Sequence, residues 1–206
     1  MSIRPALYRP KTGSSDWQPR QVLLFSGHMI DAPDRNPPRF PADKEPLAAQ
    51  RIQQTLNQLD AGPDDLALTQ GACGGDILFA EACLQRGVKL QLLQPFAEAE
   101  FIANSVISAG ASWLTRYRAV TAALDNLPLA APAALGELPP NMNAYERCNL
   151  WLLASALAYG PEKLTFICLW DGGGGDGPGG TAHMVEQVKK QHGQVVWLDT
   201  QKFWGQ

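Results

Sequence analysis

Residues Leu66 to Phe96, LALTQGACGGDILFAEACLQRGVKLQLLQPF, decide the fold. A short apolar run leads into Gly71-Ala72-Cys73-Gly74-Gly75-Asp76. A helical stretch follows, Gly87 ends it, and Val88 to Leu93 makes a second apolar run. Strand, glycine turn, helix, turn and strand in that order make a βαβ unit. Gly71, Gly74 and Gly75 put small residues where a backbone approaches a ligand. A helix that opens at such a turn points N–H groups and a positive dipole end outward, which suits a phosphate or sugar-phosphate.

The same alternation runs through the chain on both sides of this unit. Val22 to Phe25 is a continuous apolar run, the pattern of a strand covered on both faces, and it ends at Ser26-Gly27-His28. Residues 29–44 carry four prolines and form a loop too long for an ordinary βα connection. A helix with Leu47, Ile52, Leu56 and Leu59 on one side spans 45–59. After the central unit come helical stretches over 97–107 and 111–124, then a proline-rich segment, 125–142, that reads as a surface connection or lid. Residues 145–159 form a helix apolar nearly all round, Leu164 to Trp170 a buried strand, 182–192 a helix and Val195 to Leu198 a last strand. Buried strands alternating with helices predict an α/β fold: a Rossmann-like three-layer sandwich with a mostly parallel sheet of about five strands. Residues 1–20 read as an irregular arm and 21–206 as a single domain that binds a nucleotide.

Composition narrows the partners. A formal charge of −3 with 17 Lys+Arg spread thinly along 206 residues gives no basic stripe for nucleic acid. There is no apolar run long enough for a membrane span, nor an apolar signal core at the N-terminus, so a cytoplasmic protein is expected. Cys73, Cys83, Cys148 and Cys168 lack CxxC spacing and read as reduced core residues. No His/Cys/Asp cluster has metal-ligand spacing, and neither a metal nor a resident cofactor is expected. The all-apolar helix over 145–159 wants cover on two sides, which points to a homodimer.

Loops that follow parallel strands share one sheet edge, and ligands sit in the crevice there. Three loops therefore converge: Ser26-Gly27-His28, Gly71 to Asp76, and Asp171 to Thr181. The third resembles a P-loop in its spacing from Gly174 to Thr181, but Gly180 stands at the lysine position. Asp171 and Asp176 add negative charge where a triphosphate needs neutralising, so NTPase chemistry is disfavoured.

The SGH strand end, GACGGDILFAEACLQRG and the PGGT loop together resemble the SLOG superfamily, the Rossmann-like group that contains the LONELY GUY phosphoribohydrolases and DNA-processing protein A. The resemblance covers roughly residues 21–199 and implies a nucleotide or nucleotide-derived ligand, with N-glycosidic cleavage in some members. The phosphoribohydrolases carry PGGxGTxxE. Here Pro178-Gly179-Gly180-Thr181 matches its start and Glu186 keeps the spacing of its glutamate, while Thr181 comes two residues early and the third glycine is missing. The resemblance thus implies phosphate binding by Gly179, Gly180 and Thr181.

Glycosidic cleavage needs a carboxylate beside an oxocarbenium-like sugar and an acid for the departing base. Asp171, Glu186 and Glu81 are the candidate catalytic residues, with Asp171 also suited to a ribose hydroxyl. Ordinary roles compete: Asp76 as a helix cap, Glu81 and Glu186 as solvated helix residues, His28 as a loop-bonding histidine, Arg35 and Arg39 as loop charges that otherwise close over a phosphate. Ser26, Gly27, His28, Gly71, Gly74, Gly75, Asp76, Gly179, Gly180 and Thr181 form the expected ligand-binding set. Two readings follow. One is a nucleotide sensor or effector-associated domain without turnover; the other is a hydrolase or transferase at the N-glycosidic bond.

Overall fold

The computed structural model describes residues 3–11, 17–32, 34–173 and 180–204. Six strands form one parallel sheet in the order β4-β3-β2-β1-β5-β6. They are β1 (Val22–Gly27), β2 (Leu66–Thr69), β3 (Lys89–Gln94), β4 (Leu129–Ala130), β5 (Leu164–Trp170) and β6 (Gln194–Asp199). The sheet has one strand more than the sequence pattern predicts. The extra one is β4, two residues inside the proline-rich segment that pair with Leu93 and Gln94, too short to leave a periodic signature.

Alternation along the strands explains the three layers. Leu23 and Phe25 point to one face with Ala67, Leu90, Leu92 and Ile167, where α1 (Glu45–Gln58), α2 (Gly75–Gln85) and α4 (Ala111–Ala122) cover them. Val22, Leu24, Leu66, Leu68 and Phe166 point to the other, under α6 (Ala144–Leu157) and α7 (Thr181–Lys190). Short helices α3 (Glu98–Phe101), α5 (Ala131–Leu135) and α8 (Thr200–Trp204) complete the element order. Between α3 and α4 the backbone passes through a π turn, Ile102–Val106, and a 3-10 turn, Ile107–Ala109, where the sequence predicts that the first of two helical stretches runs on to residue 107.

Part of the cover that the apolar α6 needs comes from its own chain. Residues of the N-terminal arm lie along it: the Ala6 N–H donates to Ser155 Oγ at 2.9 Å and the Tyr8 N–H to the Tyr159 hydroxyl at 2.8 Å. Ile3, Ala6, Tyr8 and Trp17 pack on the same apolar cluster. Arg20 fastens the end of the arm through a forked pair of bonds, at 3.0 and 2.9 Å, to the buried Asp65 carboxylate. The 125–142 segment is held from beneath. Arg147 of α6, 3% exposed, donates to the carbonyls of Gly136 and Glu137 at 2.9 Å each.

Chain order and spatial order together place the site. The chain winds from β1 outward to β4, then returns across β1 to lay down β5 and β6 on the other side. The switch point lies between β1 and β5, and a crevice opens at their carboxyl ends.

Candidate functional site

A cavity of about 540 Å³ fills that crevice, within the range of small-molecule sites. Its floor is the end of β1, Ser26, Gly27 and His28; Gly180 and Thr181 close one wall, and Gln70, Ala72 and Asp76 another. Arg35 and Arg39 reach it from the long loop after β1. Ser105, Ser108, Asn143, Tyr145 and Asn149, which sequence reasoning did not single out, also line it.

The Gly180–Thr181 corner carries the features of an anion site. Thr181 is the first residue of the ten-residue α7, and its N-cap, Gly180, has no side chain to receive a first-turn N–H. Ser26 Oγ lies 3.4 Å from Thr181 Oγ1, joining the end of β1 to this helix terminus. Gly179 and the rest of 174–179 lie outside the described residues.

The Gly71–Asp76 turn is built differently from the outward-facing cradle that its glycines predict. The Gly71 and Ala72 N–H groups both donate to Asp76 Oδ2, at 3.2 and 3.3 Å. The Cys73 N–H goes to the Ser105 carbonyl at 2.8 Å and that of Gly75 to the His28 carbonyl at 3.1 Å. The turn spends these donors within the fold. Its glycines serve close approach: at Gly74, with φ +90°, a Cβ would stand 2.7 Å from the Ile30 nitrogen. Gly71, Gly74 and Gly75 thus sit behind the cavity wall, and Ala72 and Asp76 form its surface.

Asp76 is the unusual group of the site. Its side chain is 6% exposed, and burial pushes the carboxyl up to about 6 against the lowering effect of the Ala72 and Gly71 N–H groups. His28, also buried, takes the Asp171 N–H on Nε2 at 3.2 Å, and Asp171 Oδ1 lies 3.3 Å from the same nitrogen. Burial lowers the His28 pKa, helped by Arg39 and opposed by Asp171. For Asp171, burial pushes upward, but the Gly173 N–H and His28 outweigh it and the carboxyl ends below its ordinary range. Asp171 therefore reaches the cavity through His28, which lies on the lining.

The other two candidate carboxylates are not in the cavity lining. Glu81 receives Arg116 in a forked pair at 2.8 and 2.6 Å. Arg116 also binds Glu45 at 2.6 Å, so that one guanidinium ties α1, α2 and α4 together. Glu186 lies on the solvent face of α7, 62% exposed and paired with Lys190 at 2.8 Å. In their place the structure brings together a polar wall from α6. Gln70 Nε2 donates to Asn149 Oδ1 at 2.7 Å, and the Tyr145 hydroxyl lies 3.1 Å from Ser105 Oγ. Tyr145 and Asn149 are four residues apart and share one face of α6. Tyr145 and Asn149, polar residues at helical spacing in a mostly apolar helix, are the signal by which this wall was legible.

The four cysteines are buried and reduced. Among the described residues no group of three His, Cys, Asp or Glu side chains could hold a metal, and no helix is long and apolar enough to cross a membrane.

No family model matches the sequence, and no curated protein matches it. Among solved structures, DNA processing protein A from Streptococcus pneumoniae matches over 87% of this chain and 50% of its own, with a TM-score of 0.51 at 12% identity. A Moco carrier protein from Chlamydomonas reinhardtii matches over 88% of this chain and 76% of its own, with a TM-score of 0.43 at 15% identity, a likeness too weak to argue from. The pneumococcal match is one of fold, and this chain spans half the length of that protein.

Proposed function

We propose that this chain, whose architecture is the Rossmann-like fold of SLOG type, binds a nucleotide or nucleotide-derived ligand in the cavity between β1 and β5. One observation carries the reading. Ser26 and Thr181 meet at the glycine-capped start of α7 on the cavity wall, where a phosphate finds first-turn N–H groups, two hydroxyls and the arginines of the long loop. The amide wall of Gln70 and Asn149, with Tyr145 beside it, then suits a ribose or base. The pneumococcal neighbour's name concerns DNA. With 17 Lys+Arg against 20 Asp+Glu, this chain has no excess of positive charge for a nucleic-acid backbone, and the reading stays with a small ligand. The role that fits is that of a sensor or effector-associated domain.

A second reading, hydrolysis or transfer at the N-glycosidic bond, is favoured by Asp76. A carboxyl held near pH 6 on a cavity wall is suited to protonate a departing base. Glu81 and Glu186, also candidate catalytic carboxylates, lie outside the lining.

The test is a thermal-shift panel of AMP, cyclic AMP, NAD and ADP-ribose on the full chain, since a ligand that binds only the native state raises its apparent stability. A shift that disappears in Thr181→Val supports the binding reading, and base release from a hit supports the second. No shift with any of the four speaks against both.

A further inference from the structure

We infer that the C-terminal helix α8 holds the arginine-bearing loop in place over the cavity, which makes Trp204 a positioning residue for the site. The inference rests on the cavity being where the ligand binds. The described residues of 28–41 contain no helix or strand, yet Arg35 and Arg39 from them line the cavity. Such a loop places a guanidinium only as well as its own backbone is fixed.

The loop is closed on itself at Asp31. The Asp31 N–H donates to the Phe40 carbonyl at 2.9 Å, and the Arg39 and Phe40 N–H groups both return to Asp31 Oδ2 at 2.7 Å. Asp31 Oδ1 takes Arg35 Nε at 3.4 Å. These contacts shape the loop without fixing it to the body of the protein. The start of the loop is tied to the body by His28 and Ile30, and its Arg39 end is tied by α8: Trp204 Nε1–H donates to the Arg39 carbonyl at 2.8 Å, and its ring stacks on the fully buried Phe40, centroids 5.3 Å apart. Arg39 is therefore held on both sides, its N–H by Asp31 and its C=O by Trp204.

The post itself is anchored to the core. Phe203 and Thr200 are buried, Phe203 packs edge-on against Trp204 at 4.8 Å, and the Arg51 guanidinium of α1 lies over the Phe203 ring at 5.7 Å. A helix of five residues has little stability of its own, so its docking depends on these contacts. Docking of α8 therefore adds to the fixing of the Arg39 backbone.

Amide hydrogen exchange on the full chain, compared with Trp204→Phe and Trp204→Ala, tests this. Phenylalanine keeps the ring stack and loses the hydrogen bond; alanine loses both. Exchange at Asp31, Arg39 and Phe40 should rise about tenfold in Trp204→Ala and less in Trp204→Phe, with the amides of Leu23 to Phe25 unchanged. Unchanged exchange at the loop, or an equal rise throughout the domain, overturns the inference. With AMP as the probe, Trp204→Phe should also bind several-fold more weakly than the unaltered chain, and equal affinity overturns the positioning role. Failure of AMP to bind the unaltered chain counts against the proposed ligand, and the exchange data then decide the inference by themselves.

Discussion

His28 and Asp171 join the ends of the two strands that flank the switch point, with the Asp171 N–H donating to His28 Nε2 at 3.2 Å. Asp171 Oδ1 lies 3.3 Å from the same nitrogen, so a neutral ring accepts the Asp171 N–H there and a protonated ring donates to the Asp171 carboxylate.

The pH dependence follows from the burial of the ring, which favours its neutral form. The folded pKa of His28 lies below its ordinary value because of burial. The histidine's contribution is therefore complete above the ordinary range near 6.5 and is lost as pH falls through the lowered value. Melting temperatures of the unaltered chain and His28→Gln, measured from pH 7.5 to 5, should converge toward acid. A constant difference would show that the contact does not depend on the protonation of His28.

Asp76 has the opposite sign. Its folded pKa is raised to about 6 from an ordinary 3.8, so its contribution is present below the ordinary value and is lost as pH rises through 6. At pH 8 the ionised carboxylate destabilises the fold by about 3 kcal/mol at most, from about 1.4 kcal/mol per pKa unit. Asp76→Asn keeps an oxygen for the Gly71 and Ala72 N–H groups. Denaturant unfolding should find it as stable as the unaltered chain or more so at pH 8, and relatively less favoured at pH 4. Strong destabilisation at pH 8 contradicts this account of the carboxyl.

The Gly74 turn should tolerate no side chain. At φ +90°, a Cβ would lie 2.7 Å from the Ile30 nitrogen and 2.9 Å from the His28 carbonyl oxygen, both backbone atoms. Gly74→Ala should cost about 3 kcal/mol in urea unfolding. Gly62→Ala is the control, since no atom lies within 4 Å of its added methyl, and it should be close to neutral.

Arg147 pins the segment that follows α5. Arg147→Met removes both donors to Gly136 and Glu137 and should cost about 2 kcal/mol, with faster proteolytic cleavage within 136–143. Unchanged cleavage means that the proline-rich segment is held by its packing alone.

Much of this architecture is legible in the chain itself. Val22 to Phe25 and Leu164 to Trp170 are apolar without interruption because the sheet is covered on both faces, and that pattern belongs to buried parallel strands. The strand β4 is not legible, since two residues carry no period. Sequence identifies Gly71 to Asp76 as a tight turn, but who receives its N–H groups is decided by partners distant in the chain, Ser105 and His28. Glu81 likewise looks like a rim carboxylate until Arg116, 35 residues away, turns it into part of a helix clamp. The apolar α6 signals burial correctly. That the chain's own arm supplies part of its cover is set by long-range contacts such as that of Tyr8 with Tyr159.

Isothermal titration of AMP, cyclic AMP, NAD and ADP-ribose into the unaltered chain and into Ser26→Ala/Thr181→Val tests the central claim most directly. The double variant removes both hydroxyls at the start of α7. At least one ligand should bind the unaltered chain and lose about tenfold or more in the variant, while Lys190→Ala, on the outer face of α7, binds as before. Equal binding to chain and double variant, or no binding of any of the four, contradicts it.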